Sequence, residues 1–298
     1  MHETLKDISH LFKETSKVVL AKFYKNKNQG EFFMIQYHVF PGGKKRIVTF
    51  SYDDGSSNDK RLIELFNKYC VKGTFHLNGM NYYNLSDEKT NELRNLYKGH
   101  EVSCHTIRHG WPARMPLQSV ITETLEDRKI LEKVFGKVVN GMSYPSGSYN
   151  DDVIKALECC GIVYSRTTKD NMNFRLPENF LKWHPTCHHR DALSLCERFL
   201  KNIDSEWTHP LFYIWGHSNE FRTEEDWAYI EEVLKYISNN DKIWYATNIE
   251  IYNYMTAQKQ LQISADETCF YNPSAITVWI EKDKKQIIEI PAGETVRI

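Results

Sequence analysis

Between residues 46 and 261, apolar strand-like runs alternate with amphipathic helical stretches, and this rhythm limits the possible folds more than any single motif does. RIVTFSY at 46–52 reads as a buried strand. The helix after it carries Leu62, Ile63, Leu65, Phe66 and Tyr69 on one face, and a second strand follows at GTFHLN. Strands at HEVSC, VVNGMSY, IVYSR, LFYIWG and KIWYA continue the series. The intervening helices have recognisable ends, with Ser86, Asn150 and Thr223 at N-termini and Gly136 and Gly161 at C-termini. Seven strand–helix units in succession imply a parallel sheet covered by helices, and the lack of a Gly-x-Gly-x-x-Gly fingerprint favours a barrel over a doubly wound nucleotide fold. The expected class is α/β, a distorted seven-stranded parallel (β/α) barrel.

Two flanking segments do not follow this rhythm. In residues 1–45, Leu5, Ile8, Leu11, Phe12 and Val19 recur at helical spacing, and EFFMIQYHVF then reads as a strand ended by the turn Pro41-Gly42-Gly43. Residues 262–298 contain TVWIEKDKKQIIEIPAGETVRI, short strands joined by turns with no helical pattern. The expected organisation is an N-terminal extension (1–45), a catalytic barrel (46–261) and a small C-terminal β appendage (262–298).

Lysine plus arginine number 38 and aspartate plus glutamate 39, so the basic surplus that would recruit phosphate backbones is missing and nucleic acid is not an expected partner. No apolar run approaches the ~20 residues that span a bilayer, and the N-terminus is polar and acid-containing where an export signal would be basic and then apolar. The seven cysteines are odd in number and form no Cys-x-x-Cys, which fits reduced thiols in a cytoplasmic setting. Nothing in the sequence specifies an oligomeric state.

In a parallel barrel, chemistry gathers on the loops that leave the C-terminal strand ends. After the first strand come two carboxylates, Asp53 and Asp54, followed by Gly55. After the third comes His105-Thr-Ile-Arg-His109, whose imidazoles, read as one face of a helical turn, suit two ligands of one tetrahedral metal. One carboxylate and two imidazoles leave a position open for water, and the second carboxylate can take the proton of the attacking water, so a divalent-metal hydrolase is expected. The turn-rich run Ser143–Tyr149 after the fourth strand can bring backbone N–H groups to a substrate oxygen. His217 after the sixth can protonate a departing amine. His184, His188 and His189 lie in the longest loop, where a substrate-contacting lid, a second metal site and a structural loop are the alternatives, while Trp111, Trp183 and Trp215 fall near the rim, either as sugar-stacking surfaces or as core packing.

These elements, in this order, resemble the polysaccharide deacetylase family, carbohydrate esterase family 4, also called the nodulation-deacetylase homology domain. Phe50-Ser51-Tyr52-Asp53-Asp54-Gly55 is similar to the family's first motif, which implies Asp53 as catalytic base and Asp54 as metal ligand. His105 and His109 resemble the second motif and would supply the remaining ligands. In the third, Arg-x-Pro-[Phe/Tyr]-Gly, only Pro145 and Gly147 match; the resemblance places the oxyanion-binding N–H at Ser146, and Ser143 stands where the family has an arginine. Trp215-Gly216-His217 is similar to the fifth motif and implies His217 as the acid, and a loose alignment of the fourth puts Asp170 in position to orient it. Arg166 is the expected substitute for the arginine, reaching Asp53 from a neighbouring strand end, with Arg108 a weaker choice.

The resemblance implies removal of N-acetyl groups from an amino sugar or its polymer, dependent on a divalent metal. Zinc suits the ligands best, and cobalt, nickel and manganese are compatible with them. A hydrolase of cyclic amides or allantoin-like molecules is an alternative, as is an inactive glycan-binding relative.

Overall fold

A computed structural model describes residues 24–25, 32–201, 203 and 210–298 of the chain. The helical spacing read in residues 1–23 lies outside them. Contacts divide the chain into two units, 46–252 and a second combining 1–45 with 253–298.

The larger unit is built on parallel strands: β1 (Arg46–Asp53), β2 (Gly73–Leu77), β3 (Glu101–Cys104), β4 (Gly141–Ser143), β5 (Tyr164–Arg166), β6 (Cys187–His188), β7 (Leu211–His217) and β8 (Ile243–Tyr245). Their order in the sheet is β5-β4-β3-β2-β1-β7-β6, with β8 paired to the first residues of β1. The seven strands read from the sequence are all present. β6 is additional and lies in the stretch read as irregular. Two residues cannot display a period, which is why the pattern did not reveal it. The segment 183–188 touches both ends of the curled sheet: Trp183 bridges to Arg166 of β5, and Cys187 and His188 pair with Ile214 and Trp215 of β7. A distorted β/α barrel results.

Helices α1 (Asp59–Lys68), α2 (Asp87–Leu96), α3 (Leu117–Phe135), α4 (Asp151–Cys159), α5 (Ala192–Leu200) and α6 (Glu224–Ile237) follow successive strands, and α7 (Asn248–Lys259) follows β8. Local chemistry sets their ends. The Ser86 and Asn150 side chains accept from the backbone N–H of Lys89 and Val153, Thr223 and Asp226 form a reciprocal capping box, and Gly136 ends α3 in the left-handed region at φ 65°. The division between units at 252/253 falls within α7, ahead of the limit of 261 read from the sequence. Every residue of β1 is buried, as expected of a central parallel strand covered on both faces.

In the second unit, Ile35–Gln36 pairs antiparallel with Val278–Lys282, which pairs with Gln286–Ile290; Gln262–Ile263, Cys269–Tyr271 and Thr295–Arg297 form another small sheet. Phe33, Ile35, Phe270, Ile280, Ile288 and Ile290 make their core. The flanking segments thus contribute strands to one sheet. No helix among the described residues is long and apolar enough to cross a membrane.

The barrel interior is partly polar. Glu101 is buried, its carboxylate accepting from Tyr164 Oη (2.6 Å), Thr74 Oγ1 (3.0 Å) and Ile249 N (2.9 Å). Burial outweighs these donors and pushes its pKa up to about 7. A raised folded-state pKa contributes stability in full below the unfolded value and loses it as pH rises through about 7. Glu101→Gln is therefore expected to gain stability relative to the parent between pH 5 and pH 8. Thermal melts that stay parallel across that range would show that the carboxylate carries no such charge penalty.

Candidate active site

All strands of the sheet run the same way, so their C-terminal ends share one rim. There β1 ends on Asp53, β5 on Arg166 and β7 on His217, while His105 follows β3 directly and Ser143 ends β4. Asp53 and His217 face each other in register on adjacent strands.

Asp54, His105 and His109 come together with their ligand atoms all within 4.8 Å of one another. The histidine segment is a turn without helical structure, and this corrects the helical placement expected from its spacing. Thr106 and His109 adopt φ of 59° and 56°, and that reversal brings the two rings to 4.9 Å between centroids. Asp54 (φ 75°) and Ser146 (φ 53°) are also in the left-handed region. Four such non-glycine residues on one rim, at about 1–3 kcal/mol each, mark a site whose backbone is held in place by its surroundings. Gly55 is required beside them, because a Cβ there would lie 2.3 Å from the Tyr82 hydroxyl.

The tautomer of His105 follows from its contacts. Nδ1 lies 3.0 Å from the Ser143 carbonyl oxygen, which can only accept, so Nδ1 carries the proton and Nε2 the lone pair. Nε2 is buried without a hydrogen-bond partner, 3.5 Å from Asp54 Oδ1 and 3.8 Å from Asp53 Oδ2. His109 Nε2 stands 3.7 Å from the same Asp54 oxygen. A buried lone pair turned toward two carboxylates is unfavourable unless a cation lies among them, so the donor set fits a divalent metal. Burial lowers the His105 pKa and keeps the imidazole in its ligand form.

Asp53 is buried between two donors. Ser143 Oγ donates to Oδ1 at 3.0 Å, and the Arg166 guanidinium donates from Nη2 to Oδ2. Burial opposes ionisation of Asp53, yet Arg166 and the nearby histidines hold its pKa well below the usual carboxylate range. Arg166 is itself fully buried, with its guanidinium carbon 4.4 Å from the centre of the Trp215 ring. The approach differs from the one expected. β5 is not a neighbour of β1, and Arg166 reaches across the bore because the sheet curls β5 round to face it. Arg108 instead donates to Glu123 at 2.7 Å.

Asp170 is engaged by Trp215 and His188. Its Oδ1 accepts from Trp215 Nε1 (2.6 Å) and its Oδ2 from His188 N (3.2 Å). The carboxylate beside His217 is Glu220, with Oε1 3.6 Å from Nδ1, while His217 Nε2 points toward Asp54 Oδ2 at 4.0 Å. Burial works against the imidazolium, but Glu220, Asp53 and Asp54 prevail and raise its pKa. Glu220 follows His217 by three residues, and that short spacing was the available signal. Asp127, deep in α3, has no motif around it to signal a role, yet it accepts from His105 N at 2.9 Å and Gly79 N at 2.5 Å, fixing the start of the histidine turn. Ser146 lies in the turn Pro145–Gly147, whose hydrogen bonds run from Gly147 N to Tyr144 O and from Ser148 N to Pro145 O, leaving the Ser146 N–H outside them. Of the three tryptophans, Trp183 and Trp215 are buried, and Trp111 is exposed, stacked against Arg114 at 4.1 Å.

The profile of the polysaccharide deacetylase family matches residues 41–165, the segment holding Asp53, Asp54, His105, His109 and Ser146. Over that segment the chain is similar to the polysaccharide deacetylase family. It is 26% identical over 182 residues to the poly-beta-1,6-N-acetyl-D-glucosamine N-deacetylase of Staphylococcus epidermidis, covering 54% of this chain and 59% of that one. It is 26% identical over 125 residues to a chitin deacetylase of Pestalotiopsis, covering 42% of each. The chain spans about half the length of these relatives. In fold, the chain superposes on a crystal structure from Mycobacterium smegmatis assigned as a polysaccharide deacetylase, with a TM-score of 0.55, 17% identity, and coverage of 74% of this chain and 93% of that one.

Proposed function

We propose that the chain is a metal-dependent hydrolase that removes N-acetyl groups from an amino sugar or its oligomers. The convergence of Asp54, His105 and His109 beside the Asp53–Arg166 pair and His217 carries this reading. A divalent ion held by Asp54, His105 and His109, best Zn2+ and otherwise Co2+, Ni2+ or Mn2+, supplies Lewis acidity to the acetyl carbonyl and the attacking water. Asp53, fixed by Ser143 and Arg166, accepts the proton of that water as it attacks. The Ser146 N–H donates to the acetyl oxygen as negative charge develops there. His217, backed by Glu220, gives a proton to the departing amine, so acetate and a free amino sugar leave. Trp111 offers an exposed ring for a sugar face.

Acetate release from N-acetylglucosamine, chitin oligomers and β-1,6-linked oligomers, with Zn2+ or Co2+ present, tests the reading. Turnover of small cyclic amides with none of these sugars would overturn the substrate class. His109 is 39% exposed on its side chain, so His109→Ala spares the core. It is expected to lose one equivalent of bound metal together with activity, measured by mass spectrometry of metal content. Undiminished metal in this variant and in His105→Ala would remove the triad from the metal site.

A further inference from the structure

Beyond His217 lies another cluster of ligating side chains. His188 Nε2 and His189 Nε2 stand 2.9 and 3.4 Å from Glu220 Oε2, and the three ligand atoms fall within 4.8 Å of one another. Despite these distances, Oε2 is buried without a hydrogen bond of proper geometry. A carboxylate oxygen crowded by two imidazole nitrogens that do not close hydrogen bonds onto it has the arrangement of ligands around a common cation.

The ligands are held before any ion arrives. The His189 ring packs nearly parallel to Tyr52 (centroids 5.7 Å, 15° between planes) and to Phe221 (4.6 Å, 25°), which also touch each other at 6.1 Å. Its Nδ1 packs on Gly216, where a Cβ would come within 2.1 Å, so the glycine before His217 leaves room for this imidazole. His188 stands edge-on to Trp215 at 5.1 Å. Burial pushes the His189 pKa down to about 3 and keeps the ring neutral, as a ligand must be. A pocket of about 520 Å³ lined by His189, Glu220, Arg190 and Asp226 gives access. Two contacts oppose ion binding. Arg190 N–H lies 3.4 Å from His188 Nδ1, at the long limit of a hydrogen bond, and the exposed Arg190 guanidinium stands 3.4 Å from Glu220 Oε1. Neither contact engages Oε2, but an Nδ1 that accepts from Arg190 leaves the proton of His188 on Nε2, so the Arg190 contact must give way for His188 to ligate an ion through Nε2.

We propose that His188, His189 and Glu220 form a second divalent-metal site, suited to Zn2+ or Co2+, adjoining the acid histidine. Two imidazoles and one carboxylate are a borderline-soft donor set that disfavours Mg2+ and Ca2+. An ion on Oε2 fixes Glu220 with Oε1 still turned to His217 Nδ1, so the site clamps the partner of the acid. The metal site stands independently of the deacetylase reading, and only its clamping of the acid rests on that reading.

The test is Co2+ titration of the full chain stripped by chelator, counting equivalents retained after gel filtration and following d–d absorption. The parent is expected to hold two equivalents, His188→Ala one and His109→Ala one. Glu220→Gln, which keeps the shape of the side chain, is expected to hold one, and it replaces His188→Ala should that variant melt well below the parent. His188→Ala or Glu220→Gln retaining as many equivalents as the parent would overturn the second site, as would His109→Ala retaining none. A parent with one equivalent, kept in His109→Ala and lost in Glu220→Gln, would support the second site and reject the first.

Discussion

Asp53→Asn is expected to keep its metal and lose turnover by roughly 10²–10⁴-fold, the usual contribution of a positioned general base. The amide matches the carboxylate in size, so the change acts on proton acceptance and charge. Its oxygen can still accept from Ser143 or Arg166, but a neutral amide cannot take a proton from water at pH 7. The fall should appear in kcat more than in KM, because a general base acts as charge develops and adds little to ground-state binding. A stability cost accompanies it. Arg166 is fully buried, and without its carboxylate it becomes an uncompensated charge, which costs about 3–5 kcal/mol. Acetate release, metal content and urea unfolding of one preparation separate these effects. Near-parental turnover in a folded, metal-loaded Asp53→Asn would transfer the base role to another group.

Arg166→Met should cost a similar 3–5 kcal/mol at neutral pH, because it leaves Asp53 buried and charged without its cation. The pH dependence gives this its signature. In the parent, burial raises the Asp53 pKa, but Arg166, His105, His76 and His217 lower it further, and the net shift is downward. A depressed carboxylate pKa contributes stability above the unfolded value of about 3.9, and that contribution is lost as pH falls through the folded value. Removing Arg166 reverses the balance, so the variant should be least stable relative to the parent near neutrality and recover toward acid. The acidic limb of its pH–rate profile should move upward, and its maximal rate should fall. An acidic limb and an unfolding profile that coincide with the parent's would show that Arg166 neither orients nor ionises Asp53.

Local chemistry accounts for much of what was legible. Strand and helix periods, Ser86, Asn150 and Thr223 as caps, and Gly136 as a stop each act within a few residues, so the order of elements and the class of sheet could be read along the chain. The parallel sheet then carried Asp53, His105, Ser143, Arg166 and His217 to one rim, since parallel strands put like ends together. What depended on the curl of the sheet could not be read this way. Arg166 meets Asp53 across the bore, and β6 exists only because β7 offers Cys187 and His188 an edge. Ser143 joins His105 to Asp53 through one hydroxyl. The histidine pair converges through left-handed residues at Thr106 and His109 where spacing suggested a helix, because backbone held by Asp127 and its neighbours outweighs local preference. The sequence by itself determined which residue types arrive at the rim and in what order. Only the tertiary structure decided which of them are partners, Glu220 and not Asp170 for His217, because pairing follows distance through space across a curled sheet and leaves no period along the chain.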